Sequence, residues 1–325
     1  MTRGRPHGLL PVLFGGFGIV CFSVTFPATT AAEGSFSALT VGVGRSVIAA
    51  VAAIAVLLAR RRPLLPPRAA LGRMLIVSAT VGVGFGLFSA LALRQVSPVH
   101  AAVLTGLIPA ATAGMAVLRA GERPRGAYWA ALALGLAVVI GFAVVRGGGS
   151  LETADLLLLV AIGVAGLGYA EGAVLARSYG GWLVICWAVI LALPVTIPVT
   201  AVAVALSPPR HVSAAALTGL GYVGLVSMGI GFFAWYRGLA TGGVASIGRF
   251  QLAQPALTLF WSALLLGDHV TWLSAAAAAG VIAATAIGRN AKVDRSGAGP
   301  VPGPAAAGPA TGPAAAGPVP DPVQP

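Results

Sequence analysis

Apolar positions along this chain come in runs, not in alternation. Stretches of Leu, Ala, Val, Ile and Gly recur from residue 8 to residue 289, interrupted by short segments rich in Arg, Pro, Gly or Ser. Each is about 20 residues long, enough for a helix to cross a hydrocarbon core of about 30 Å. A backbone in lipid must satisfy its own hydrogen bonds, and no period-two pattern marks the strands of a barrel, so the runs predict helices. The breaks place ten of them at about 8–29, 36–59, 72–93, 98–119, 126–145, 154–176, 182–206, 214–236, 244–266 and 271–289. The expected fold is an all-α integral membrane protein, one bundle of ten transmembrane helices joined by short loops.

Composition strengthens this. The 325 residues are 58% hydrophobic and 9% charged, with mean hydropathy +0.93, whereas soluble domains carry about 25% charged residues. The net charge of +12 follows membrane topology. With a cytoplasmic N-terminus, fifteen basic residues fall on the inner side, among them Arg3, Arg5, Arg60, Arg61, Arg62, Arg119, Arg123 and Lys292. Only Arg94, Arg146 and Arg210 fall outside. This is a positive-inside pattern with both termini cytoplasmic, and it removes the case for a nucleic-acid partner. Arg3 and Arg5 before an apolar run resemble a signal peptide, but the run is long for one and has a counterpart later in the chain, so it is read as the first span. After Arg295 the Gly, Pro and Ala repeats have nothing to bury, which predicts a disordered tail over 296–325.

Several chemistries are absent. Cys21 and Cys186 lie inside apolar runs without redox or metal spacing, and His7, His100, His211 and His269 are scattered. No Walker sequence appears. Gly82 with Gly86, and Gly168 with Gly172, are four apart on a helix face and read as close-packing positions, not dinucleotide loops. No cofactor, metal or enzymatic activity is expected.

The chain also repeats itself. FSALALRQVSPVHAAVLTGLIPAATAGMAVLRAGE (88–122) aligns without a gap to AWYRGLATGGVASIGRFQLAQPALTLFWSALLLGD (234–268), 146 residues later. Pro109 matches Pro255, Gly121 matches Gly267, and Glu122 faces Asp268. The units are 8–148 and 152–289. Five spans each is an odd number, so the second unit enters the membrane inverted, an arrangement that places substrate sites near the midplane between the halves.

The span count, the unit ends LRAGER (118–123) and LLLGDH (264–269), the two prolines and Arg45 in span 2 resemble the EamA family of the drug/metabolite transporter superfamily. Asp268 departs from the usual Glu. The resemblance covers 8–289 and implies two inverted repeats around a central cavity, moving small metabolites without ATP hydrolysis. It also implies a polar residue just before the second proline, a place that Gln254 occupies.

Polar residues inside spans carry the remaining information, since a charge at the bilayer centre costs about 2.5–3.5 kcal/mol on insertion scales. Arg45 is either a carboxylate-binding or gating cation, or a structural partner of Glu33 or of a backbone carbonyl. Glu171 is either a proton-coupling carboxyl or the partner of Arg177 or another arginine of the inner side. Tyr169, Trp187, Trp235 and Tyr236 either line a cavity or anchor span ends at the interface, and His100 reads as interfacial. In span 9, at 100° per residue, Gln251, Gln254, Thr258 and Ser262 form a stripe about 80° wide, while Arg249 faces the other way as a topology anchor. Pro255 is expected to leave the Gln251 carbonyl without its donor, facing that stripe. The stripe either contacts substrate or bonds neighbouring helices. With Arg45 and Tyr169 it makes the expected substrate site, and Glu171 is the candidate for proton coupling. The function expected is a secondary transporter of small organic metabolites, amino-acid-like or drug-like, exporting them across the cytoplasmic membrane by alternating access. The alternative is a non-transporting sensor or assembly protein on the same bundle.

Overall fold

The structure is a computed structural model and describes residues 9–120, 123–124, 126–146, 151–242, 247–290 and 293–294. The 296–325 tail, the Gly121–Glu122 pair, and Arg3 and Arg5 lie outside them.

Helices dominate. α1 (Leu9–Ser23) and α2 (Thr25–Glu33) form one bent crossing, followed by α3 (Ala38–Ala59). α4 (Arg68–Val77) and α5 (Phe85–Leu93) are joined through a π-helical segment, Ser78–Gly84. α6 (Pro98–Thr105) continues into α7 (Ile108–Ala120), then come α8 (Gly126–Arg146), α9 (Thr153–Tyr179) and α10 (Gly181–Leu206). α11 (Ala214–Gly221) and α12 (Phe232–Gly242) flank a second π-helical segment, Tyr222–Gly231. A 3-10 stretch, Gly248–Ala253, leads into α13 (Gln254–Leu266), and α14 (Trp272–Asn290) follows. Two two-residue strands, β1 (Arg123–Pro124) and β2 (Val293–Asp294), pair antiparallel, a small departure from an all-helical chain.

Seven stretches are long and apolar enough to cross a membrane: Leu9–Glu33, Ala38–Ala59, Arg68–Leu93, Pro98–Met115, Thr153–Tyr179, Gly181–Leu206 and Ala214–Thr241. Ala133–Phe142, Phe250–Leu266 and Trp272–Ala284 are shorter apolar helices. Large side chains such as Val51, Leu58, Val195, Val202, Phe260 and Leu264 stay exposed on the outside of the bundle, as lipid-facing positions would.

The helix starts sort by face. α3, α6, α11 and α14 begin with Ser37, Ser97, Ser213 and Thr271, whose hydroxyls accept the backbone N–H groups of Thr40, His100, Ala216 and Ser274. α9 begins with a capping box between Glu152 and Asp155. These hydroxyls and carboxylates take up N–H groups that a helix start leaves open. The loops carrying Ser35 and His211 meet on this face through the Ser35 hydroxyl, which donates to the His211 carbonyl at 3.2 Å. At the opposite face the Trp187 indole N–H donates to the Pro63 carbonyl at 2.9 Å.

Packing respects the exchange of the two halves. α3 lies against α10, α6 against α13, and α8 against α14, while α5 packs on α9 as α12 packs on α1. Every such contact maps onto itself or onto another when the halves are exchanged. The helix defects follow the same exchange: Ser78–Gly84 shifted by 146 residues falls within Tyr222–Gly231, and the break at Gly106 falls at the 3-10 to α junction before Gln254.

Four aromatic residues correct the interfacial expectation. Tyr169, Trp187, Trp235 and Tyr236 are all buried in the core. Glycines make room for them: a Cβ on Gly172 would run into the Tyr236 ring, and one on Gly181 would meet the backbone at Tyr236 and Arg237. His100 is buried as well, its Nε2 2.7 Å from Asp155 Oδ1 and its ring against Phe142. The sequence hides this pairing because Asp155 stands 55 residues away.

Candidate functional site

The defects of the helices converge on one small cavity. Thr25 and Phe26 follow the break between α1 and α2, where Pro27 has no N–H to offer the Ser23 carbonyl. Phe85 follows the first π segment, Ser227 and Met228 lie within the second, and Gln254 opens α13 just after the 3-10 stretch. Arg45 from α3, Tyr169 from α9, Phe22 from α1 and Phe232 from α12 complete the walls. The space left open is about 10 Å³, room for about one water molecule.

Arg45 dominates its electrostatics. The residue is 4% exposed, and its guanidinium stands 5.6 Å from the Phe85 ring centroid. Its Nε has no hydrogen-bond partner among the described residues. The pairing with Glu33 left open by the sequence is not made: the ion pairs among the described residues are Arg73–Glu171 and His100–Asp155. Gly86 creates the seat, because a Cβ there would lie 2.7 Å from Arg45 Nε and collide with the Gly42 carbonyl. Next to this seat the Ser46 hydroxyl donates to the Gly82 carbonyl inside the π segment, which supplies an acceptor group there with a donor. A cation over a ring face gains about 0.5–2 kcal/mol, less than burying a charge costs.

Gln254 brings the second open group: its Oε1 is buried and without a partner among the described residues. Thr25 and Ser227 instead satisfy each other, their hydroxyl oxygens 2.8 Å apart across the two halves. Apart from the Tyr169 hydroxyl the rest of the lining is apolar, and Phe22, Phe232 and the neighbouring Trp235 group around the Tyr169 ring.

Of the residues expected to form the site, Arg45, Tyr169 and Gln254 come together here. Gln251, Thr258 and Ser262 point into the bundle and are buried, but do not line the cavity. Two details of span 9 are corrected. Its first turns are 3-10 instead of α, so residues three apart eclipse and Gln251 lies under Gln254. The Gln251 carbonyl is not left open, because the tighter turn delivers the Gln254 N–H to it. Of Arg249 the structure describes only its place in that 3-10 stretch. Glu171 lies outside the cavity, buried on α9, with Oε2 3.4 Å from Arg73 Nη1 of α4. Thr25, Ser227, Phe22, Phe26, Phe85, Met228 and Phe232 were missed. A hydroxyl inside an apolar run was the only sign that Thr25 and Ser227 gave, and the aromatics gave none.

The sequence matches the EamA-like transporter family twice, over residues 9–144 and 152–288. It is similar to the uncharacterized transporter YdeK of Bacillus subtilis (strain 168), with 43% identity over 277 residues that cover 85% of this chain and 95% of that protein. A crystal structure at 18% identity superposes with a TM-score of 0.59 and covers 85% of this chain and 95% of the other. At that identity the likeness is one of fold alone.

Proposed function

Because the chain belongs to the EamA-like transporter family, whose members are multi-pass membrane transporters, we propose that it is a secondary exporter of small organic metabolites working by alternating access. In this proposal ten helices form two inverted five-helix units, 8–148 and 152–289, with both termini in the cytoplasm of the cell whose inner membrane holds the protein. The cavity at Arg45, Tyr169 and Gln254 is the substrate site. The observation that carries this reading is the cavity itself, where the helix defects of both halves meet around a buried cation, Arg45, and where two of the buried polar atoms without a partner among the described residues, Arg45 Nε and Gln254 Oε1, face one space. Helix defects at matching positions also give each half a place to bend.

In the same proposal Glu171 acts as a latch. Its ion pair with Arg73 ties α9 to α4, and protonating Glu171 removes the charge on which the pair depends, which couples opening to a proton gradient. Two variants in proteoliposomes test the scheme, after a metabolite screen on overexpressing cells has supplied a transported compound. Gln254→Leu should abolish flux while thermal stability stays near that of the parent; a collapse in folding would assign Gln254 to packing instead. Glu171→Gln should remove the pH-gradient dependence of flux, and unchanged dependence would remove Glu171 from the mechanism.

A further inference from the structure

We propose that the cavity, when it widens from the space for about one water seen in this state, selects an organic monoanion: one carboxylate on a compact apolar or aromatic body, with no ammonium group. The inference rests on the reading of this cavity as the substrate site and narrows it.

Charge is the first ground. Arg45 is a buried cation whose Nε donates to nothing among the described residues. A guanidinium is the side chain best matched to a carboxylate, since its N–H groups lie in one plane and meet both oxygens. No carboxylate lines the cavity. Glu171 is held by Arg73, and Asp155 by His100 and the Glu152 N–H. Glu33 and Asp268 lie at helix ends away from the lining. An anion therefore finds a counter-charge, whereas an ammonium group meets the repulsion of Arg45 with no carboxylate in the lining to offset it.

The count of open polar groups is the second ground. Thr25 and Ser227 bond each other, which commits one of their two O–H donors. Arg45 donates to the carboxylate, and the acceptors left in the lining, Gln254 Oε1, the Tyr169 hydroxyl and the oxygens of the Thr25–Ser227 pair, are all neutral. A zwitterion's –NH₃⁺ group would have these neutral acceptors alone to offset the like charge of Arg45. The third ground is the wall: Phe22, Phe85, Phe232 and Met228 present apolar surface that rewards burying a ring or branched chain.

The test is a charge series on one body: 3-phenylpropionate, phenylalanine, 3-phenylpropylamine and 3-phenylpropanol. Binding to the purified full-length protein in nanodiscs is followed by tryptophan fluorescence, since Trp235 stands 6.2 Å from Tyr169. The carboxylate should bind more than about tenfold more tightly than the other three, a gap of about 1.4 kcal/mol. Arg45→Gln should remove that preference and Arg45→Lys should keep part of it. Equal or tighter binding of the amine, the alcohol or the amino acid overturns the proposal, as does carboxylate binding unchanged in Arg45→Gln or no binding of the carboxylate at millimolar concentration. The wild-type series needs no variant, so the test survives if Arg45 substitutions do not fold. Counterflow of the same compounds in proteoliposomes separates the two readings. Saturable flux of the amine or amino acid leaves transport standing and removes the monoanion. Arg45-dependent carboxylate binding without flux keeps the anion site and removes transport.

Discussion

Gly86 and Arg45 act as a unit at the residue scale. The guanidinium is seated where α3 and α5 approach so closely that a methyl group on Gly86 would meet both the Gly42 carbonyl and Arg45. Overpacking of this kind costs about 1–3 kcal/mol. Gly86→Ala should therefore lower thermal stability by that amount and displace Arg45, whereas Gly16→Ala, with nothing within 4 Å of the added carbon, should leave the melting temperature unchanged or slightly raised. Thermal unfolding in detergent reads both, and equal behaviour of the two variants would contradict the packing described. Gly267 illustrates a different constraint. It ends α13 in the left-handed region with φ +70°, and its own N–H and that of Asp268 reach back to the Ala263 and Ser262 carbonyls. Gly267→Ala should cost about 1 kcal/mol through backbone strain and leave ligand binding at the cavity intact, measured by melting temperature beside the charge series.

At the scale of elements, the departures from regular helix matter most. Pro255 has no N–H, so the chain before it tightens into a 3-10 turn and Gln254 is carried to the cavity wall. Restoring the donor with Pro255→Ala should let α13 extend toward Gly248, giving slower amide exchange over that stretch and weaker flux. Unchanged exchange would mean that packing, not the proline, sets the turn. The His100–Asp155 pair joins the starts of α6 and α9, one from each half. Breaking a buried pair by removing one partner costs about 3–5 kcal/mol, and replacing both costs less than the sum. A double-mutant cycle with His100→Leu and Asp155→Leu should therefore show strong coupling, and additive losses would contradict a direct bond. The span 9 stripe was legible because its period survives in the fold, and all four residues turn inward. Its detail was not, since a projection at a fixed 100° per residue presumes an α-helix where the chain adopts 3-10. The π segments were invisible for the same reason: Ser78–Gly84 and Tyr222–Gly231 read as ordinary apolar helix. His100–Asp155 and the aromatic cluster depend on contacts between distant residues, which periodicity does not report.

The whole molecule is organised by sorting and by exchange. Polar helix starts gather on one face, and the loop that holds Arg60, Arg61 and Arg62 lies on the other, beside α10. The apolar runs, the repeat at 146 residues and the two prolines made the bundle and its pairing of halves readable from sequence, because length and hydropathy alone decide what spans a membrane. The cavity itself was readable only through its charged and polar members, Arg45, Tyr169 and Gln254. If the two halves rock against each other, the cavity must open first to one face and then to the other. The most direct test places one cysteine there, Ser227→Cys, in a protein whose native thiols are removed by Cys21→Ala and Cys186→Ala. Its reaction with a membrane-impermeant methanethiosulfonate is then measured from each side of oriented proteoliposomes. Alternating access predicts modification from both sides, slowed by a bound substrate. Modification from one side only, or from neither, would contradict it.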